Sequence, residues 1–573
     1  MEKKSIQRRV KQARPGNQFS LGLSGGSSAA PATPALAGPV IFNDPDPRLL
    51  QVAGTDLQTH LLQCGHEDVF IIRTLLEEQD WSAFEAIYKS GGRRPYKPRS
   101  MLGLILYGIL NGRSSLRELE YLAGVDLGCW WLTGGIMPDH SVIGRFIQQH
   151  AALLTDDFFE SLTRSVLKAT RSGTSRTSGD GTVIEAAASR YRTVKREALD
   201  KQIEHTRQRL AEASDDADKT AAENRLEQLT TAGEVLAQRA AKRESKGKDP
   251  DKTQINPAEV EAVLQPLKRQ GYGAAYKPSV LANEKRVILS QAVDPSSETA
   301  VVENLFGQAE RLGKIQESSL DAGYHCEAIL GLAEPMKISL LIPEGRTTSA
   351  DWKKQSDKQY PKSQFVYDAN TNTYRCPAGE RLSQVGQYQG NATQKPYVEY
   401  GTPACADCKQ REHCTKSVRG RRVKRYSGDE YKEAMREKLQ NEAVQQRYRQ
   451  RAGAVEPVFS QLKGKQGLNR FRRKGLAAVR VEFALHALAY NVGRAIALKT
   501  VLMHFIAWLR ILIRGILSQN PNNHAFWLTM KEKITTCPRL TISYAWRGFT
   551  TPSVRERGWG EGFLASQQYM QKD

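Results

Sequence analysis

Two aspartates at the ends of strand-like segments, and one glutamate in a much later helical segment, most constrain what this chain can become. Asp180 stands in Ser178-Gly179-Asp180-Gly181-Thr182-Val183-Ile184-Glu185-Ala186, and Asp321 in Leu320-Asp321-Ala322-Gly323-Tyr324-His325. Glu456 opens Glu456-Pro457-Val458-Phe459, after Tyr448 and Arg451 and before Lys463. A strand over 174–180 ends at the first Asp. Strands over 276–282 and 286–292, split by Asn283-Glu284, form a hairpin. A helix over 298–312 leads to a strand over 316–321 that ends at the second Asp. A helix over 325–334 and an apolar strand over 338–342 follow. Carboxylates at strand ends face the crevice where open α/β sheets place their ligands. The order points to an α/β core. The 134 residues between Asp321 and Glu456 are too many for a direct strand-to-helix continuation, so an inserted module is expected over 345–428.

Length and charge narrow the class further. The chain has 573 residues, with 83 Lys plus Arg against 62 Asp plus Glu, a formal net charge of +21. Such a surplus suits a polyanion, most simply nucleic acid, with an anionic membrane surface as the competing reading. The apolar stretch 495–517 carries Lys499, His504, Arg510 and Arg514, which are costly at a bilayer centre. It reads as a buried or amphipathic helix pair rather than a membrane span. No signal-peptide pattern is visible, and eight cysteines in a chain of this length are not a secreted disulfide framework. A reducing cytoplasm follows.

The expected organisation is a basic, disordered tail over 1–45, a helical N-terminal domain over 46–172, and a core built from 173–344 and 429–495. A helical hairpin is inserted at 192–250, and an extension covers 496–573. In the helical domain, Ser115 and Asp139 are placed to cap helices.

Each acid has a bland alternative. Asp180-Gly181 is also a preferred hairpin-turn pair, and Asp321 is a preferred helix N-cap. Glu456 and Lys463 are seven apart and can share a helix face. Tyr448 and Arg451, three apart, are adjacent on one. Gly453 and Pro457 are expected to interrupt or reshape that helix. Glu185 is either a supporting carboxylate or a surface strand residue. Arg470, Arg472, Arg473 and Lys474 form a basic cluster suited to a DNA backbone or to a solvated face. Cys376, Cys405, Cys408 and Cys414 lie in the inserted module, with Cys405 and Cys408 in C-x2-C spacing. Four thiols suit tetrahedral Zn²⁺. Reduced thiols packed in a small β-rich module are the alternative.

These motifs, in this order, resemble the DDE transposases of bacterial insertion sequences. The resemblance covers about residues 60–495 and is closest to the branch with a Tyr-Arg-Glu-Lys signature, insertion-sequence family eleven-eighty-two. It implies a ribonuclease-H-like catalytic core with the helical domain in front and the Cys-containing module inserted. It implies Asp180, Asp321 and Glu456 as ligands of two Mg²⁺ ions, with Mn²⁺ as a substitute. Tyr448, Arg451 and Lys463 would contact the transposon end. One spacing departs: four residues separate Arg451 from Glu456, where three are usual. The implied activity is cleavage at the terminal inverted repeats and strand transfer into double-stranded target DNA. It would be carried out by a dimer or larger assembly associated with the bacterial nucleoid. A catalytically silent DNA-binding descendant and a nuclease of the same fold are the rivals. The resemblance also suggests that Trp352 holds a flipped base, against the commoner role of a packed core Trp.

Overall fold

The computed structural model describes residues 39–91, 93–267, 271–345, 360–391 and 394–517. Trp352 and most of the expected tail and C-terminal extension lie outside the described residues. The chain divides into a unit of Met1–Ala497 and a second of Leu498–Asp573.

Helices dominate the first part. Pro98 opens the helix Pro98–Leu110, where its fixed φ suits the first turn and its missing N–H leaves no bond unmade. Twelve of that helix's thirteen residues are buried, so the apolar run becomes a central helix rather than a surface one. Ser115 caps Leu116–Val125 in a reciprocal capping box with Glu118, and Asp139 caps His140–Gln149. Both caps agree with the sequence. A small pair, β1 (Gln51–Val52) and β2 (Thr55–Asp56), precedes these helices.

The central sheet is mixed. It contains β3 (Arg176–Gly181), β4 (Ile184–Glu185), β5 (Val263–Leu267), β6 (Gly271–Asn283), β7 (Ile288–Asp294), β8 (Glu317–Ser319) and β9 (Ser339–Leu341). β7, β6 and β3 pair antiparallel in turn, while β3, β8 and β9 run parallel. The long strand β6 also carries β4 and β5 on its first half. Its apolar run is buried nearly throughout, which is why it occupies the middle of the sheet. The helix expected at 325–334 is shorter, Glu327–Leu330. One hydrophobic core runs from Leu57 to Ala495, so the N-terminal helices and the sheet share an interior.

Two elements stand outside that core. The helices Arg196–Glu212 and Asp216–Glu244 pack on each other around Leu199, Leu229, Ala232 and Leu236. The other is a five-stranded antiparallel sheet of β10 (Val366–Asp368), β11 (Thr373–Arg375), β12 (Arg381–Tyr388), β13 (Tyr397–Gly401) and β14 (Val423–Arg425). It encloses Phe365, Tyr374, Leu382, Tyr400 and Val423. This segment is therefore β-rich.

Two expectations are overturned. The helix Glu442–Gly464 runs unbroken through Gly453 and Pro457. Proline cannot donate to the carbonyl four residues back, which is that of Gly453. Arg286 Nε donates to that oxygen at 2.9 Å and removes the cost of leaving it unpaired. Arg286 makes this contact from a left-handed conformation, φ 64°, in the turn between β6 and β7. Second, the apolar stretch 495–517 is not a helix pair. It belongs to a single helix, Leu476–Leu517, with no proline or turn pair to break its hydrogen bonding. Among the described residues no helix is long and apolar enough to cross a membrane.

Asn491 ties the Leu476–Leu517 helix to the sheet edge. Its side chain accepts from the Ile288 N–H at 2.8 Å and donates to the Ile288 carbonyl at 2.8 Å. It also donates to Thr163 Oγ1 at 3.1 Å. Asn491 is fully buried, so Asn491→Leu leaves β7 with two desolvated backbone groups and no partner. A loss of roughly 2–4 kcal/mol is expected in denaturant unfolding. A loss below about 0.5 kcal/mol would show that the Asn clamp adds little.

Candidate active site

Asp180 lies inside strand β3 and not in a hairpin turn. Flanking glycines make that possible. A Cβ on Gly179 would meet the Cδ2 atoms of Leu320 at 2.4 Å and Leu281 at 2.7 Å, so a larger residue here would push those two side chains aside. A Cβ on Gly181 would meet the Glu298 side chain at 2.5 Å.

The parallel register pairs Arg176 with Glu317, Thr177 with Ser318 and Ser178 with Ser319. Carried two residues further, the same offset sets Asp180 level with Asp321. Asp321 is also the N-cap of the 3-10 turn Ala322–Tyr324, its Oδ1 accepting from Gly323 N at 2.8 Å. The cap and the site readings of Asp321 are therefore compatible: one oxygen holds the turn and the second is left for other work.

Burial pushes the Asp180 carboxyl up to about 6. The charges of Asp321 and Glu298 act in the same direction, while Arg451 and the Gly181 N–H pull it back. Arg451 Nη1 stands 3.7 Å from Asp180 Oδ2 and 3.5 Å from the Gly179 carbonyl. It comes from the Glu442–Gly464 helix, which lies against β3. Twelve residues later on that helix, Lys463 Nζ donates to the Val183 carbonyl at 3.1 Å and to Thr182 Oγ1. Glu456 sits between these two anchors and is exposed. Burial raises the Tyr448 hydroxyl, and the Arg451 charge beside it acts in the opposite sense.

The structure thus brings Asp180, Asp321, Tyr448 and Arg451 together. Among the described residues, no three His, Cys, Asp or Glu side chains are arranged to share one ion. The donor chemistry nevertheless suits a hard divalent cation. Carboxylates crowded at a part-buried strand end repel one another, and a cation relieves that repulsion.

Glu298 was not singled out from the sequence. Its carboxylate packs on Gly181, acts on Asp180, and pairs with Lys277 Nζ at 3.4 Å. It lies in a Ser-rich turn after β7 that matches no motif, so only the fold reveals it. Arg447, which pairs with Glu317 Oε1 at 3.3 Å, was equally silent. Glu185 is held by Arg190 through two bonds of 2.9 Å.

The basic cluster divides. Arg470 is exposed, and its guanidinium donates to the Ala186 carbonyl at 3.1 Å and to that of Ala188 at 2.7 Å. The backbone N–H groups of Arg472 and Arg473 donate to the buried Glu482 carboxylate. Arg472 Nη1 is 3.6 Å from Glu118, and Lys474 is exposed. Cys376, Cys405, Cys408 and Cys414 line one small cavity in the module. Burial raises the Cys414 thiol, and the other three thiols reinforce that shift against the pull of Arg421.

Residues 375–496 match a family model described as "Transposase DDE domain". Residues 63–149 match one described as "Transposase domain (DUF772)". No curated protein matches the chain. The first matched segment contains Tyr448, Arg451, Glu456, Lys463 and the four module cysteines, whereas Asp180 and Asp321 precede it. A transposase DDE domain implies a ribonuclease-H-like core and phosphoryl-transfer chemistry, and the β3–β8–β9 parallel arrangement agrees with that core. Over these two separate segments the chain is thus similar to transposase family models.

Proposed function

We propose that the chain is a DNA transposase of an insertion sequence. It cleaves phosphodiester bonds at the transposon ends and joins the freed 3′-hydroxyl to target DNA. The observation that carries this reading is that Asp180 in β3 and Asp321, two residues past the parallel strand β8, are close enough for their charges to act on each other, with a helix of the segment similar to a transposase DDE domain lying against β3.

Asp180, Asp321 and Glu456 are the residues to hold Mg²⁺, or Mn²⁺ in its place. Two such ions supply charge neutralisation at the attacking and leaving oxygens when bound. The chain's own residues do the remaining work. Glu456 stands on the helix turn between the contacts of Arg451 and Lys463, so the helix that fixes those cations also fixes the third acid. Arg451 balances Asp180 until a substrate phosphate provides a better partner, and Tyr448 is positioned beside it. Lys463 and the outward members of the Arg470–Lys474 cluster, Arg472 and Lys474, extend the positive surface along the DNA backbone. Both transposon ends must be held at once, so the active complex is at least a dimer. The four module thiols line one cavity but are not arranged to share an ion, so the structural Zn²⁺ proposed for them requires that they draw closer around it.

Asp180→Asn, Asp321→Asn and Glu456→Gln each remove one ligand charge and keep the shape. Each is expected to abolish Mg²⁺-dependent cleavage of end DNA on a gel and to leave DNA binding largely intact. Cleavage at the wild-type rate in any one of them would exclude that residue from the site.

The raised Asp180 carboxyl adds a stability test. Folded Asp180 holds its proton to about pH 6, against an ordinary value of 3.8, so between these values the native state binds more protons than the unfolded chain. Metal-free wild type should then lose stability as pH rises through that window. Asp180→Asn should melt higher than wild type at neutral pH, with the gain gone below about pH 4. Mg²⁺ should raise the wild-type melting temperature and have less effect on the variant. A variant that melts no higher than wild type at neutral pH would refute the strained carboxyl.

The module has its own measurement. About one Zn per chain is expected in purified protein, and chelation should loosen the module before the core. Metal analysis that finds no Zn in folded protein leaves the four cysteines as packed thiols.

A further inference from the structure

The helical hairpin after the first acid is acidic on balance. Between residues 196 and 244 it has eleven Asp and Glu against nine Lys and Arg. Its charges are not mixed evenly. A groove of about 810 Å³ lies between the hairpin and the 3-10 turn Arg190–Arg192. Arg192, Lys201, Arg209 and Arg225 line it, and no carboxylate does. The acids have been sorted away from one face of an acidic element. That is unexpected of a merely solvated hairpin, where opposite charges intersperse.

The cations in the groove are poorly matched by the protein. Arg209 pairs with Asp218 at 2.7 Å, but Arg192, Lys201 and Arg225 form no ion pair among the described residues. Arg225 is half-buried and donates only to neutral amide oxygens, those of Gln228 at 2.6 Å and Gln202 at 3.4 Å. Burial and the nearby Arg192 charge both weigh against its charged form. Two guanidiniums held within reach of each other without a counter-charge form a binding surface for an anion supplied from outside. Tyr191, beside Arg192 on the same turn, is 99% exposed. A fully solvated aromatic next to a basic groove offers a flat face to a sugar or base.

The turn is also tied to the active site. Arg190 grips Glu185 of β4, and β4 follows Asp180 after Gly181, Thr182 and Val183. We propose that this groove binds the phosphate backbone of duplex DNA beside the cleaved position, with Arg192, Lys201 and Arg225 as phosphate contacts and Tyr191 packed on the strand. The assignment of DNA, rather than another polyanion, rests on the transposase reading above.

The test uses the full chain and a random-sequence duplex, because phosphate contacts do not depend on sequence. Binding is measured over a salt series for wild type, Arg192→Ala/Lys201→Ala/Arg225→Ala and Tyr191→Ala. The triple variant should bind more weakly, with a log–log salt slope shallower by roughly 2–3, near 0.9 for each lost contact. Tyr191→Ala should weaken binding with the slope unchanged. Because Arg225 is half-buried, Lys201→Glu serves as a purely surface control. It should weaken binding and flatten the slope while melting like wild type. An unchanged slope in both the triple variant and Lys201→Glu would overturn the proposal. So would a groove-dependent affinity for vesicles of phosphatidylserine and phosphatidylcholine that exceeds the affinity for the duplex. The two readings fail separately. A wild type that binds the duplex through the groove but never cleaves end DNA removes the transposase reading and keeps the groove. A wild type that cleaves ends while both groove variants bind normally does the reverse.

Discussion

Like charge at one end of a parallel strand pair is the constraint on which the site depends. β3 and β8 run in the same direction and in register through Ser178 and Ser319, which brings Asp180 near Asp321, two residues past β8. Asp180 and Asp321 therefore cannot avoid each other, and Glu298 adds a third negative group. An unmatched cluster of this kind would destabilise the fold. The protein answers with one guanidinium, Arg451, and with backbone N–H groups from Gly181 and Gly323. This compensation is partial, since the Asp180 carboxyl remains pushed up to about 6. A site left short of positive charge retains affinity for a cation, and that is the physical link between the strand register and the chemistry proposed.

The Glu442–Gly464 helix serves the same end by being continuous. Had Pro457 broken it, Arg451 and Lys463 would lie on separate segments, and their contacts on either side of Glu456 would be uncoupled. Continuity depends on Arg286, which satisfies the Gly453 carbonyl from the β6–β7 turn. The turn is anchored in its own right. Asn283 accepts from the Val287 N–H at 2.9 Å, and Arg494 donates to the Lys285 carbonyl at 3.0 Å. The position of the third acid thus depends on a turn far from it in sequence, and on the Leu476–Leu517 helix behind that turn.

This explains which parts were legible in the sequence. The strands around Asp180 and before Asp321 could be read because the small residues after each acid, Gly181 and Ala322-Gly323, give a local signature, although β8 stops at Ser319. The caps at Ser115 and Asp139 could be read because capping is a contact over three residues. The Gly453 and Pro457 positions misled, because the group that rescues the helix is 167 residues away. Glu298 was invisible for the same kind of reason: its importance lies in touching Gly181, and no local pattern records that. The sequence could not show that the Arg470 guanidinium donates to the carbonyls of Ala186 and Ala188, a contact made by tertiary packing.

Charge therefore has to be judged by who answers it rather than by where it clusters in the chain. The Arg470–Lys474 run is the denser stretch of sequence, yet Arg470 has backbone acceptors and Arg472 lies near Glu118. The groove beside the helical hairpin is assembled from residues 33 positions apart, Arg192 to Arg225, within an element that is acidic overall. Of its four cations, Arg192, Lys201 and Arg225 form no ion pair among the described residues, while Arg209 meets Asp218. For an anionic polymer the second arrangement is the stronger attractor, because three of its four cations have no carboxylate to give up. A positive surface can thus form on an element that is acidic overall. A net charge of +21 says that a polyanion is welcome but not where it will lie.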